Sequence, residues 1–101
     1  MSVVVIARFA VADVAKAKEA IAANTALLDE ISEDAKKLGA QHHRFLEGDG
    51  ELVVLDEWDD PASFGKFFDG NPKVAKITDA AGVQGPPTVA VYGAFKAAGD
   101  F

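Results

Sequence analysis

The sequence holds 101 residues, of which none is cysteine, two are histidine, one is tryptophan and one is tyrosine. Without cysteine there can be no disulfide, zinc–thiolate site, iron–sulfur cluster or thiol nucleophile. The two histidines, His42 and His43, are adjacent, and no cysteine supplements them, so a typical transition-metal ligand set is not available and no metal site is expected. Positive charge is also scarce, with ten Lys and Arg against sixteen Asp and Glu and a net charge of −6. The basic residues are scattered, which argues against nucleic acid and against anionic membranes as partners, since both need clustered cations. No apolar run approaches the roughly 20 residues of a membrane span. The apolar stretch VVVIARFAVA lacks a basic leader, is interrupted by Arg8 and has no convincing small-residue cleavage site. A cytoplasmic protein is expected. The phosphate-binding patterns G-x-G-x-x-G and G-x-x-x-x-G-K-[ST] and the nucleophile elbow G-x-S-x-G are all missing. Nucleotide use and serine hydrolysis are unsupported, and no cofactor is expected.

What is present fits one globular domain over residues 1–95 followed by a loose tail at 96–101. Residues 3–9 are β-branched and apolar and predict a strand. Asp13 is a good N-cap, and Val14, Ala17, Ile21, Asn24, Leu28, Ile31, Ala35 and Leu38 then recur at three- and four-residue steps. That spacing predicts one long amphipathic helix ended by Gly39. Residues 40–47 read as a more polar strand, Gly48-Asp49-Gly50 as a hairpin turn and residues 52–58 as a third strand. Asp60-Pro61 and Asn71-Pro72 each place a cap before a proline and predict two short helices. Gly85-Pro86-Pro87 is a loop, and residues 88–95 form a last strand. The order is β-α-β-β-α-β with the second helix broken in two. It predicts an α+β, ferredoxin-like fold, one antiparallel sheet with helices on one face.

An antiparallel sheet with one wet face alternates apolar and polar residues. Here Val4 and Ile6 back onto Val3, Val5 and Ala7, and Val53 and Leu55 back onto Leu52 and Val54. Both faces of the sheet read as apolar, and helices can cover only one. A second copy of the chain in an isologous homodimer is the economical cover for the other.

The block VLDEWDDPASFGKFFDGNPKVAKI, a strand ending Glu-Trp, then D-P-x-x-F, then N-P-K-V, resembles the antibiotic-biosynthesis-monooxygenase-like branch of the dimeric α+β barrel superfamily. The motif match covers residues 52–77 and the architecture most of the chain. The resemblance implies a homodimer whose sheets close into a dimeric α+β barrel, with an apolar cavity between sheet and helices. It further implies either cofactor-independent oxygenation or cyclisation of a small aromatic or polyketide-like molecule, or a non-catalytic module binding a small hydrophobic metabolite. The chain departs from other branches. Residues 71–81 contain no histidine to ligate haem iron, Phe67 stands where haem-degrading members carry a tryptophan, and Asn71-Pro72-Lys73-Val74 replaces the H-P-x-H of cyclase-like members.

The candidate site residues follow from oddities in the pattern. Neighbours on a regular strand point to opposite faces, so His42 and His43 cannot chelate one metal together unless a bulge intervenes. With a three-residue loop in the hairpin, His42 falls opposite Asp56. With a two-residue turn, His43 falls opposite Asp56 and His42 opposite Glu57. A carboxylate beside an imidazole fixes its tautomer, as a general base requires, and an edge-strand charge pair is the plain alternative. His42, His43 and Asp56 are therefore the catalytic candidates. Asn24 interrupts an apolar stripe and would either bind a substrate oxygen or reach a backbone group. Arg8 lies among Val4 and Ile6 and needs Asp56, Glu57 or a ligand anion as partner. Trp58 and Phe67 are candidate walls for a flat ligand as well as core residues. Tyr92 could offer its hydroxyl.

Overall fold

The apolar run near the N-terminus forms the central strand β1 (Val3–Ala10) of a computed structural model that describes residues 2–101. Helices α1 (Val14–Ala23) and α2 (Thr25–Leu38) follow, then strands β2 (Ala40–Gly48) and β3 (Glu51–Trp58). Helices α3 (Pro61–Phe68) and α4 (Pro72–Ala80) lead to strand β4 (Thr88–Gly93). The strands form one antiparallel sheet in the order β2-β3-β1-β4, the ferredoxin-like topology. Residues 94–101 belong to no helix or strand.

The long helix predicted from the 14–38 periodicity is two helices. Asn24 leaves helical geometry at φ −118° and ψ 39°, ending α1 and opening α2. Its side-chain Nδ2 donates to the Ala20 carbonyl at 2.6 Å and its backbone N–H to the Ile21 carbonyl at 3.1 Å. An asparagine amide competes for backbone partners in this way, which is why it favours helix ends over helix interiors. Elsewhere the caps follow the sequence. Asp13 accepts from the Lys16 N–H, Asp60 from the Ser63 N–H and Asn71 from the Lys73 and Val74 N–H groups. Gly39 closes α2 at φ 118°, and a Cβ there would sit 2.4 Å from Asp59 Oδ1. Only glycine fits both demands.

In the hairpin Gly48 pairs with Glu51, which leaves Asp49 and Gly50 as a two-residue turn with Gly50 at φ 69°. His43 therefore pairs with Asp56 and His42 with Glu57, and a bulge between Ala40 and His42 absorbs Gln41. The face of the sheet under the helices carries Val3, Val5, Ala7 and Phe9 from β1 and Leu52, Val54, Asp56 and Trp58 from β3. Trp58, Phe64 and Phe67 close on Val3 and Val5 as one core cluster, with Trp58 fully buried. Burying an aromatic of that size contributes roughly 3 kcal/mol. A second cluster joins Val11, Ala17, Leu52 and Ala81. Helix α2 sends no fully buried residue into either one. The space beneath it is instead a cavity.

Candidate functional site

The cavity has a volume of about 770 Å³ and lies between the helix-side face of the sheet and helices α2, α3 and α4. Its walls are apolar. Phe9, Leu52 and Val54 rise from the sheet, Phe64, Phe67 and Phe68 descend from α3, and Leu28 and Ile31 come from α2. The aromatic wall is itself packed, with Phe64 stacked on Phe68 at 5.2 Å between centroids and 17° between planes. Exposed Asp29, Glu33 and Lys36 of α2 edge the cavity on one side, and β2, an edge strand exposed along nearly its whole length, borders it on the other. A cleft of this size, mostly apolar with few convergent polar groups, is the usual form of a small-molecule site.

Of the polar groups that the sheet brings to this lining, the buried one is Asp56, the one buried charged residue among those described, at 5 % exposure. An unpaired buried carboxylate would be costly. Both of its oxygens are bonded. Oδ1 lies 2.5 Å from Nδ1 of His43 across the strand pair, and Oδ2 accepts from Nε1 of Trp58 at 3.2 Å, two residues further along β3. An ionised carboxylate only accepts, so with Asp56 ionised the proton of neutral His43 sits on Nδ1 and Nε2 keeps its lone pair. Nε2 makes no hydrogen bond to any described residue. The imidazole stands edge-on to Phe45, with centroids 4.9 Å apart and planes at 85°. His43 thus lies at the open β2 side of the cavity, backed by a buried acceptor and carrying a free nitrogen. This arrangement can take up a proton from a bound molecule.

Of the remaining sequence candidates, Phe67 lines the cavity and His42 borders it along β2, while the others fall elsewhere. His42 is on the outer face of the sheet, exposed, with Nε2 3.6 Å from Glu57 Oε1. Arg8 is on that face too, and its partner is neither Asp56 nor Glu57. Its Nε and Nη2 donate to the two oxygens of Glu51 at 2.8 and 3.2 Å. The hydrogen bond to Glu51 raises the Arg8 pKa above its ordinary value, and the same bond lowers that of Glu51. The correction follows from register. Glu51 pairs with Ala10, one step diagonal from Arg8 on the same face, while Asp56 pairs with Val5 on the other. Tyr92 pairs with Val4, so its exposed ring also belongs to the outer face. Asn24 spends its amide on the helix break and does not line the cavity. Trp58 lies behind the cavity wall, packed on its Phe64 and Phe67 and bonded to its Asp56.

Two contributions went unread in the sequence. Phe45 shares the face of His43 because the two are two positions apart on the strand, a spacing visible in QHHRF. Lys73 Nζ binds Asp34 Oδ2 at 2.7 Å and lies 4.0 Å from Glu30 Oε1, tying α4 to α2, two of the helices that enclose the cavity. The hydrogen bond to Asp34 raises the Lys73 pKa, against an opposing effect of partial burial. No sequence spacing relates residues so far apart.

No protein-family model and no curated protein sequence matches the chain. Solved structures match it over nearly its full length. SnoaB from Streptomyces nogalater, described as a cofactor-independent oxygenase, is 16 % identical, with 98 % of each chain covered and a TM-score of 0.64. The monooxygenase from the gene ActVA-Orf6 of Streptomyces coelicolor, solved with the ligand nanaomycin D, is 17 % identical over 95 % of this chain and 89 % of that one, at a TM-score of 0.67. Rv0793 from Mycobacterium tuberculosis is 24 % identical over 97 % and 99 %, at 0.60. The chain therefore has the fold of the antibiotic-biosynthesis-monooxygenase-like proteins, an α+β arrangement of one antiparallel sheet and helices. Among the described residues no helix is long and apolar enough to cross a membrane.

Proposed function

We propose that this protein is a cofactor-independent monooxygenase that oxidises a small hydroxyaromatic or polyketide-like molecule in the sheet–helix cavity. The observation that carries this reading is the His43–Asp56 pair at the open side of an aromatic-lined cavity of about 770 Å³. Fold likeness to a cofactor-independent oxygenase supports the reaction class. Nε2 of His43 takes the phenolic proton and Asp56 stabilises the imidazolium that forms. The electron-rich ring carbon then adds dioxygen, and the peroxide anion takes the proton back from the His43 imidazolium. Loss of water from the resulting hydroperoxide leaves the quinone, so one oxygen atom stays in the product and one leaves as water. The apolar walls exclude bulk water from the deprotonated ring and leave the dyad as the proton acceptor.

The working unit in this reading is a homodimer. The protomer exposes 6521 Å², whereas a folded monomer of this mass exposes about 5,500 Å². The outer face of the sheet presents half-buried Val4, Ile6, Val53 and Leu55 beside exposed Leu46 and Tyr92, while β4 also leaves Val89 and Val91 uncovered. Covering such a face with its own copy is the isologous solution. Light scattering at micromolar concentration should give about twice 10.6 kDa, and a single-chain mass would overturn the dimer.

The test of function is oxygen uptake and quinone absorbance with a dihydroxynaphthalene as substrate. His43→Gln should lower turnover by about 10²–10⁴-fold, the usual contribution of a general base, and His42→Gln should leave it unchanged. Tight binding of the naphthalene without oxygen uptake would favour a non-catalytic binding module instead.

A further inference from the structure

We infer that Trp58 is a positioning residue for the His43–Asp56 pair, holding the Asp56 carboxylate in the one plane that presents Oδ1 to Nδ1 of His43. The inference rests on the reading of His43 as the base. The indole is fully buried and cannot turn. It meets Phe64 edge-on at 5.7 Å and 74° and Phe67 at 5.3 Å and 41°. Its one donor is therefore fixed in space, and it points at Asp56 Oδ2. The imidazole is not so held, because the His43 side chain is 40 % exposed on an edge strand. Of the two donors on the carboxylate, the rigid one is Trp58, and it sets the position of the mobile one.

A structural role alone does not account for this arrangement. A buried indole N–H needs an acceptor, and a backbone carbonyl or a neutral side chain would serve. Here the acceptor is a carboxylate placed among Val5, Val54 and the aromatic cluster, where an apolar strand residue would cost less. Local rules broken at a packed position point to function. Trp58, Asp56 and His43 form one chain of hydrogen bonds from the core to the cavity, running two residues along β3 and then across to β2. With Oδ2 tied, the carboxylate cannot rotate away, Nδ1 keeps the proton and Nε2 stays the accepting atom.

Trp58→Phe keeps an aromatic ring in the core, smaller than the indole, and deletes the donor. Long-range nitrogen–proton NMR of the imidazoles should show neutral His43 almost wholly as the Nδ1–H tautomer in the wild type and as a mixture in Trp58→Phe. Turnover of the dihydroxynaphthalene should fall about tenfold in kcat, the rate equivalent of one net hydrogen bond, with KM unchanged. In a His43→Gln background the same substitution should have no further effect on kcat, because residues acting as a unit are not additive. An unchanged tautomer in Trp58→Phe overturns the inference, as does a full additional loss in the His43→Gln background. If Trp58→Phe does not fold, the wild type still decides. The chain has a single tryptophan, so its Nε1–H gives one resonance, which should move as His43 is titrated. A resonance blind to that titration overturns the coupling. A wild type with no turnover overturns the oxygenase reading alone, and the tautomer result still decides whether Trp58 positions the pair.

Discussion

The two faces of the β2–β3 hairpin carry the same chemical pair, a histidine opposite a carboxylate, in different surroundings. On the outer face His42 and Glu57 stand 3.6 Å apart with side-chain exposures of 77 % and 30 %. On the helix face His43 and Asp56 are bonded at 2.5 Å with exposures of 40 % and 7 %. Water competes for the first pair and screens it. The second is sheltered, and its carboxylate has a donor on each oxygen. Both faces pair an imidazole with a carboxylate, so what separates a surface contact from a candidate site is burial and the third partner, Trp58.

The comparison can be broken from the inside outward. Trp58→Ala should cost the most, about 3–5 kcal/mol in chemical denaturation, because it empties a core position and orphans Asp56 Oδ2. An effect below about 1 kcal/mol would mean that the inner face is not the packed one. Asp56→Ala should come next, at about 1–3 kcal/mol, since it leaves the buried indole N–H without an acceptor. Its outer-face counterpart, Glu57→Ala, should stay within about 0.5 kcal/mol, and so should His42→Gln by thermal unfolding. Equal losses on the two faces would erase the distinction.

The smallest effect concerns Glu51, whose carboxyl the Arg8 hydrogen bond holds below its ordinary range. A carboxyl lowered in the folded state contributes stability above the unfolded value, and that contribution is lost as pH falls through the folded value. The difference in Tm between wild type and Glu51→Gln should therefore be small near neutrality and close as the solution is acidified. A difference that widens in acid would contradict the pair.

Much of the fold was legible in the residues themselves. Apolar, β-branched runs marked the strands, and Asp60-Pro61 and Asn71-Pro72 marked two helix starts, because a cap and a proline act on the nearest turn. The long-helix reading failed at Asn24. There the apolar periodicity continues through a residue whose amide satisfies the backbone groups that a helix break exposes. Periodicity reports which face is buried and not whether the helix is continuous. The candidate site was legible in part. Strand parity separated His42 from His43, but two turn lengths left open which of them met Asp56. The structure selects the two-residue turn, with Gly50 at positive φ. Arg8 does find a carboxylate partner, but it is Glu51 rather than Asp56 or Glu57, because the partner lies on a diagonal across β1 and β3 and depends on register, which the spacing within one strand does not contain.

Legible in the chain alone were the order of strands and helices apart from the break at Asn24, the opposite facing of His42 and His43, the lack of thiols and clustered cations, and the apolar character of both faces of the sheet. These depend on residues within a few positions of one another. Tertiary structure alone decided that α2 stands off the sheet above a cavity, that Lys73 reaches Asp34, and that the indole of Trp58 ends on Asp56 rather than on a ligand. Each of these joins groups whose separation is set by packing. The same histidine and carboxylate become a surface contact or a candidate catalytic pair according to which side of the sheet the helices cover.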